Sequence, residues 1–369
     1  MNRVGETTLI LDLSALEHNY RYLRSKIKQE TKFLGVVKAF AYGSDTVTIA
    51  RKLEQLGADY LAVAYVSEGV LLREAGIQLP ILVLHPLPSN FEDLIEHHLE
   101  PSLYSRNILN QFLGAANAKN QKDYPVHIKF NTGLNRLGFS EADVNFIAEE
   151  TKHNECIRIV SCFSHLAASE DINERDFSLN QIASFKNLSG ALMDTLGYAP
   201  MRHMLNTSGI INYPEAQFEM VRSGIGLYGY GNQAKVDEQL RPVASLKTII
   251  SQIHEIGANQ SVGYNRAFKS SHNIKSATLP IGHADGIGRQ YGKGKGFVTI
   301  NGKKALILGN VCMDMIMVDV TEIDCKEGDE AIVFGPNKSA ENFAATANTI
   351  SYEILTAISQ RVKREVINT

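Results

Sequence analysis

The chain of 369 residues contains no tryptophan and only four cysteines, and no stretch of it approaches the length of a membrane span. The cysteines, Cys156, Cys162, Cys312 and Cys325, form no C-x-x-C pair. Their spacing gives no metal site or disulfide framework and fits the reduced thiols of a cytoplasmic protein. A large charge of one sign is missing too: 37 Lys and Arg stand against 40 Asp and Glu, a formal net charge of −3. That balance leaves no broad basic surface for nucleic acid or anionic lipid, so neither is expected as a partner. The opening residues, MNRVGETTLILDLSALEHN, carry one short apolar run that Asp12 interrupts, which is not the apolar core of a signal peptide. The missing tryptophan excludes nothing.

What is present is enough apolar sequence for a large core: 44% of residues are hydrophobic and 21% charged, over a length that suits two domains. From Thr8 to about Gly229 short apolar runs alternate with longer stretches of helical period. The runs are Thr8–Leu13, Phe33–Lys38, Tyr60–Ala64, Ile81–Leu84, Glu100–Leu103, Val126–Phe130, Ile157–Phe163, Arg202–Leu205 and Met220–Gly224. A helix is expected over Ser14–Ile27, with Ser14 as its N-cap. Repeated strand–helix alternation means parallel pairing with helical crossovers, and about eight such units fit a (β/α)8 TIM-type barrel. Past a glycine-bearing polar linker, Gly229–Leu240, the segments become β-branched or alternating, and Asn301-Gly302 between two of them signals a tight hairpin. The expected architecture is α/β plus β: residues 1–235 a barrel, residues 236–369 a mostly β domain closed by a helix over Asn342–Gln360.

Lys38, His165, Asn206 with Thr207, and Arg222 stand at or just past the carboxyl ends of the apolar runs. In a barrel those ends share the face that carries chemistry, whereas an open doubly wound sheet gathers polar groups at its switch point. Lys38 ends the buried run FLGVV, and an amine there is costly to desolvate unless its pKa falls or a partner is present. A lysine of lowered pKa is what imine chemistry needs, although on that stretch alone a lysine that ends its strand at solvent is the simpler account.

Nine segments in order carry a family resemblance: VVKAFAYG at 36–43, KFNTGLNRLGF at 129–139, FSHLAASED at 163–171, LNTSG at 205–209, VRSGIGLYG at 221–229, VGYN at 262–265, IGHADGIGR at 281–289, VCMD at 311–314 and ISYE at 350–353. Together they resemble the alanine racemases, enzymes that use pyridoxal 5'-phosphate. The resemblance implies interconversion of L- and D-alanine by two bases on opposite faces of the substrate Cα, supplying D-alanine for peptidoglycan. It implies Lys38 as the lysine that holds the cofactor as an imine and serves as one base, and Tyr264 as the other. A phenol needs nearby cationic help to act as a base at neutral pH, and His165 and Arg222 are the candidates. Arg222 matches the arginine that faces the pyridine nitrogen. The phosphate is expected against Tyr42, Thr207, Gly224, Ile225 and Tyr352, with Asn206 as an orienting residue. Arg136 matches the residue that orients the substrate carboxylate, and Met313 the one whose main-chain N–H receives it. Lys129 matches a lysine that can be carbamylated. No metal is implied.

The resemblance also implies a head-to-tail homodimer in which each site takes Tyr264 and Met313 from the other chain. Several positions depart from the family pattern, among them Asn131, where aspartate is more usual, and Asn310 and Met315. Thr207 replaces a serine and keeps its hydroxyl. Asn265 follows Tyr264 where glycine is usual, and His283 stands where a tyrosine normally lines the substrate entrance. A histidine is smaller and can carry charge, which leaves a broader racemase, acting on serine for example, as the alternative.

Overall fold

The structure is a computed structural model that describes residues 6–336 and 339–368. Eight parallel strands close into a barrel: Lys32–Val36, Tyr60–Val63, Ile81–Val83, Glu100–Leu103, Tyr124–Lys129, Ile157–Phe163, Met201–His203 and Met220–Ser223. Each pairs with the next, and the last returns to the first with Leu34 opposite Arg222. The second and third strands, YLAV and ILV, are wholly apolar and buried, as parallel strands under a helical layer tend to be, while later strands carry buried polar residues such as His127, Ser161, His203 and Arg222. The helices between them start where side chains satisfy the free N–H groups: Asp45 accepts from Thr48 N and Ser105 from Ile108 N.

The first apolar run does not join this barrel. Thr8–Asp12 lies in a nine-stranded sheet, antiparallel to Ala244–Ile249 on one side and parallel to Lys363–Ile367 on the other. An apolar run of this length looks the same whichever sheet receives it. The following helix is Leu13–Arg24, and its N-cap is Asp12 rather than Ser14: Asp12 Oδ1 accepts from Ser14 N at 2.9 Å and Ala15 N at 3.3 Å.

The rest of the large sheet is antiparallel and comes from the second half of the chain. The hairpin expected at Asn301-Gly302 forms, with both residues left-handed (φ 48° and 78°) between Phe297–Ile300 and Lys303–Leu308. The expected closing helix is instead two short ones, Ala340–Ala345 and Ser351–Ala357, parted at Asn348 with φ 55°. A final strand, Lys363–Ile367, follows them.

The two halves meet at the turn after Lys38. Ala39, Phe40, Ala41 and Tyr42 all adopt left-handed dihedrals, and Gly43 continues them at φ 79°. Such a run is unfavourable by about 1–2 kcal/mol per non-glycine residue, so its surroundings must hold it. Glu68 Oε1 accepts from Ala39 N at 2.6 Å, while Glu68 Oε2 accepts from Ala64 N at 2.7 Å. From the last strand, Arg364 donates to the carbonyls of Gly43 at 2.8 Å and Ser44 at 3.1 Å, and also to Ile358, Ser359 and Val362. A Cβ on Gly43 would overlap the Leu355 carbonyl oxygen. Gly43→Ala should therefore lower stability by about 3 kcal/mol or more in urea unfolding. Gly57→Ala, at a similar φ of 84° with nothing nearby, should lose only about 1 kcal/mol. Equal losses at the two positions would show that the contact with the second helix carries no weight.

Candidate active site

At the carboxyl ends of the barrel strands lies a cavity of about 640 Å³. Lys38, Tyr42, Lys129, Arg136, His165, Asn206, Thr207, Arg222, Gly224, Ile225 and Tyr352 all line it. Every residue that the sequence associates with cofactor binding is thus in one place, together with Arg136 and Lys129. Four of the lining side chains are lysine or arginine, and among the described residues none is a carboxylate.

That imbalance sets the protonation of the site. Burial pulls the Lys38 amine below its ordinary value, and the charge of Arg136 adds to the effect, while Glu68 opposes it. Burial, with Arg136, Arg222 and Lys38 as neighbouring cations, brings Lys129 down to about 8. His165 is pushed well below the usual imidazole range by burial and then by Arg222, so it is neutral. Arg222 is brought down to about 9 by burial and stays a cation at neutral pH.

Arg222 is held by neutral acceptors. Its Nη2 donates to the carbonyls of Ser164 (2.7 Å) and Met204 (3.2 Å) and reaches His165 Nδ1 at 3.1 Å. Its Nη1 donates to His203 Nδ1 at 2.7 Å. Phe163 packs beneath the guanidinium, 5.3 Å from ring centroid to carbon, and stacks on His203. Sequence reading missed His203, which is one strand residue among several, with only its position at a strand end as a signal. Glu68 and Arg364 were missed as well. Glu68 sits three residues after Tyr65 at a helix start, but without the Ser or Thr that normally flags such a cap.

The polar floor is built from short elements. Asn206 caps the helix Thr207–Asn212 by accepting from Gly209 N at 2.8 Å, and Ser169 Oγ donates to the same oxygen. Thr207 Oγ1 meets Ser223 Oγ at 3.0 Å and accepts from Gly226 N at 3.2 Å. Tyr42 is buried, stacked on Tyr228, and its hydroxyl lies where a Cβ on Gly224 would be. Tyr352 enters from the second half of the chain, its hydroxyl accepting from Asn232.

Tyr264 and Met313 are not in this cavity. They line a separate one with Asp314 and Met315, and they stand 73% and 59% exposed. Tyr264 begins a tight turn, Tyr264–Arg266, and Asn310 Nδ2 donates to its carbonyl at 3.2 Å. Asn265 has φ 55°, a left-handed position that asparagine tolerates better than most residues, so its replacement of glycine is accommodated. His283 is exposed and lines neither cavity; its main-chain N–H donates to the Cys312 carbonyl at 2.9 Å.

Two family models match the chain: the alanine racemase N-terminal domain over residues 11–232 and the C-terminal domain over residues 243–366. The alanine racemase of Clostridium perfringens is 36% identical over 365 residues, covering 96% of this chain and 93% of the relative. A crystal structure of alanine racemase from Bartonella henselae with covalently bound pyridoxal phosphate superposes with a TM-score of 0.90 at 31% identity, covering 99% of this chain and 100% of that one. The alanine racemase structure from Clostridium difficile gives 0.91 at 33%, with 99% and 97% covered. With barrel, second sheet and site all matched over nearly its full length, the chain belongs to the alanine racemase family.

Proposed function

We propose that the cavity binds pyridoxal 5'-phosphate and interconverts L- and D-alanine. The observation that carries this is a half-buried amine, Lys38, among three further cationic side chains with no lining carboxylate. Such a site suits a phosphate and a carboxylate together. The side chains present fit that cofactor. Tyr42, Thr207 and Tyr352 offer hydroxyls, Gly224 and Ile225 bring main chain close, and Lys38 offers an amine for the imine. Bound, the cofactor would supply an electron sink that acidifies the hydrogen on the substrate Cα. The chain's own work is the rest. Lys38, its pKa lowered by burial, takes or returns a proton on one face of Cα. Arg222 stays protonated and donates a hydrogen bond without giving up its proton. Arg136 orients the substrate carboxylate. Lys38→Ala should lose both the visible absorbance of the bound cofactor and racemisation; full activity in that variant without added amine would overturn the assignment.

Tyr264, the second base in this reading, and Met313 line a different cavity of the same chain. Their exposure supports a head-to-tail homodimer in which each chain lends both residues to its partner. Met313 would offer its main-chain N–H to the substrate carboxylate, and Tyr264 its phenol to Cα, next to neutral His165. Mixing Lys38→Ala with Tyr264→Phe chains should recover activity toward about half per mixed dimer, because one site would be intact and independent sites add. No recovery despite proven subunit exchange would place both residues of a site in one chain. The four cysteines carry free thiols, which supports a reducing, cytoplasmic setting. Among the described residues no helix is long and apolar enough to cross a membrane.

Lys129 is suited to carbamylation. A lysine brought down to about 8 holds a sizeable neutral fraction near neutral pH, and the anionic carbamate would offset Arg136 and Arg222. Carbon-13 bicarbonate should give a carbamate resonance in the wild type that Lys129→Ala lacks. The unmodified amine has a further signature. Its folded value lies below its ordinary 10.5, so the unfolded chain binds the proton more tightly and stability rises with pH between about 8 and 10.5. Carbonate-free Lys129→Met should be more stable than wild type below pH 8, and that advantage should shrink toward pH 10.5. A pH-independent difference in chemical denaturation would refute it.

A further inference from the structure

Behind Arg222 a line of hydrogen bonds crosses the barrel interior. Arg222 Nη1 contacts His203 Nδ1 at 2.7 Å. His203 Nε2 contacts Ser161 Oγ at 2.9 Å, Ser161 Oγ contacts His127 Nδ1 at 2.5 Å, and His127 Nε2 contacts Glu100 Oε2 at 2.7 Å. His203, Ser161 and His127 are fully buried. Glu100 opens its strand, at the barrel end opposite the cavity, with its side chain 12% exposed.

The chemistry of the ends allows a proton placement that satisfies every bond between them. A guanidinium only donates, so His203 Nδ1 must accept and its proton sits on Nε2. That N–H donates to Ser161, whose own hydroxyl is then free to donate to His127 Nδ1. His127 then carries its proton on Nε2 and donates to Glu100, a carboxylate that only accepts. With the protons so placed all four bonds point the same way, an arrangement in which each bond polarises the next. Among the described residues Arg222 makes no ion pair, so the carboxylate at the far end of this line is the counter-charge its hydrogen bonds lead to. Arg73, the cation near Glu100, donates instead to the carbonyls of Ile77, Leu79, His97 and His98.

We propose that Ser161, His127 and Glu100 are positioning residues for Arg222. They fix the His203 tautomer, and so keep Arg222 a seated, purely donating cation at the cavity floor. If the His203 proton moved to Nδ1, two donors would face each other and the guanidinium would lose its seat. The consequence for turnover rests on the racemase reading above, in which Arg222 faces the pyridine nitrogen and restrains side reactions. The tautomers do not depend on that reading.

The test uses the holoenzyme with nitrogen-15 histidine. Resonances of His127 and His203, assigned with His127→Asn and His203→Asn, should show both rings neutral with the proton on Nε2. Ser161→Ala removes the link, and His203 should then populate the other tautomer. Losing a hydrogen bond to a charged group's partner should cut kcat by about ten- to a hundredfold, with KM for alanine within about twofold. Abortive transamination per racemisation turnover, read from loss of the cofactor's absorbance, should rise by about fivefold or more. Ser161→Thr keeps the hydroxyl and should restore both. Glu100→Gln keeps an acceptor but removes the charge, and should move the same quantities less. A charged ring, or a proton on Nδ1 of either histidine in the wild type, overturns the proposal whether or not any variant folds. So does a folded Ser161→Ala with an unchanged partition between transamination and racemisation, which is what a role in packing alone would give. Correct tautomers in a protein that does not racemise alanine would refute the functional reading and leave the hydrogen-bonded line standing.

Discussion

The left-handed turn after Lys38 is the constraint from which the arrangement of the rest follows. A short backbone of this hand is locally unfavourable, and it persists only because groups far away in sequence hold it. Glu68 fixes its first N–H from the neighbouring strand–helix unit. Arg364 gathers its last carbonyls from the final strand, and the Leu355 carbonyl fills the space beside Gly43. The turn carries the lysine on one side and buries Tyr42 against Tyr228 on the other. Neither half of the chain could place the amine alone.

Electrostatics is the second organising fact. The cavity concentrates positive charge in a chain whose net charge is slightly negative. Carboxylates are engaged outside the cavity: Glu68 on main-chain N–H groups, Glu100 at the far barrel mouth, Asp285 and Asp314 on Arg361. Two lysines and a histidine are shifted toward their neutral forms by burial and by this crowd of cations. The same burial leaves Arg222 charged, because a guanidinium gives up its proton far less readily than an ammonium. One field therefore yields amines shifted toward their neutral form and a fixed cation side by side.

Much of this was legible in the sequence, because the barrel announces itself by period and the polar residues by their place at strand ends. Lys38, His165, Thr207 and Arg222 each follow an apolar run, and all line one cavity. The hairpin at Asn301-Gly302 was legible because two left-handed residues in sequence have few other uses. What stayed hidden depends on contacts between distant residues. Thr8–Asp12 has the same apolar pattern in either sheet, and only its pairing with Ala244–Ile249 decides the matter. Lys363–Ile367 is half polar because it lies at the edge of its sheet, so it carries no strand signal. Glu68, Arg364 and His203 look like surface or strand residues until the fold brings their partners to them.

The membership of Thr8–Asp12 in the second sheet has a consequence for how the protein is made. On a ribosome this strand emerges first, yet its antiparallel partner begins at Ala244 and its parallel partner at Lys363. At usual rates of synthesis it waits on the order of ten seconds or more while the barrel strands appear and can close without it. Its two edges are open throughout, and Leu9, Ile10 and Leu11 form its apolar centre. Lys363–Ile367, the last of the described strands, then docks against Thr8–Asp12 and brings Arg364 onto the lysine turn. Docking of this strand and bracing of the lysine turn are thus a single late event in the folding of the two halves.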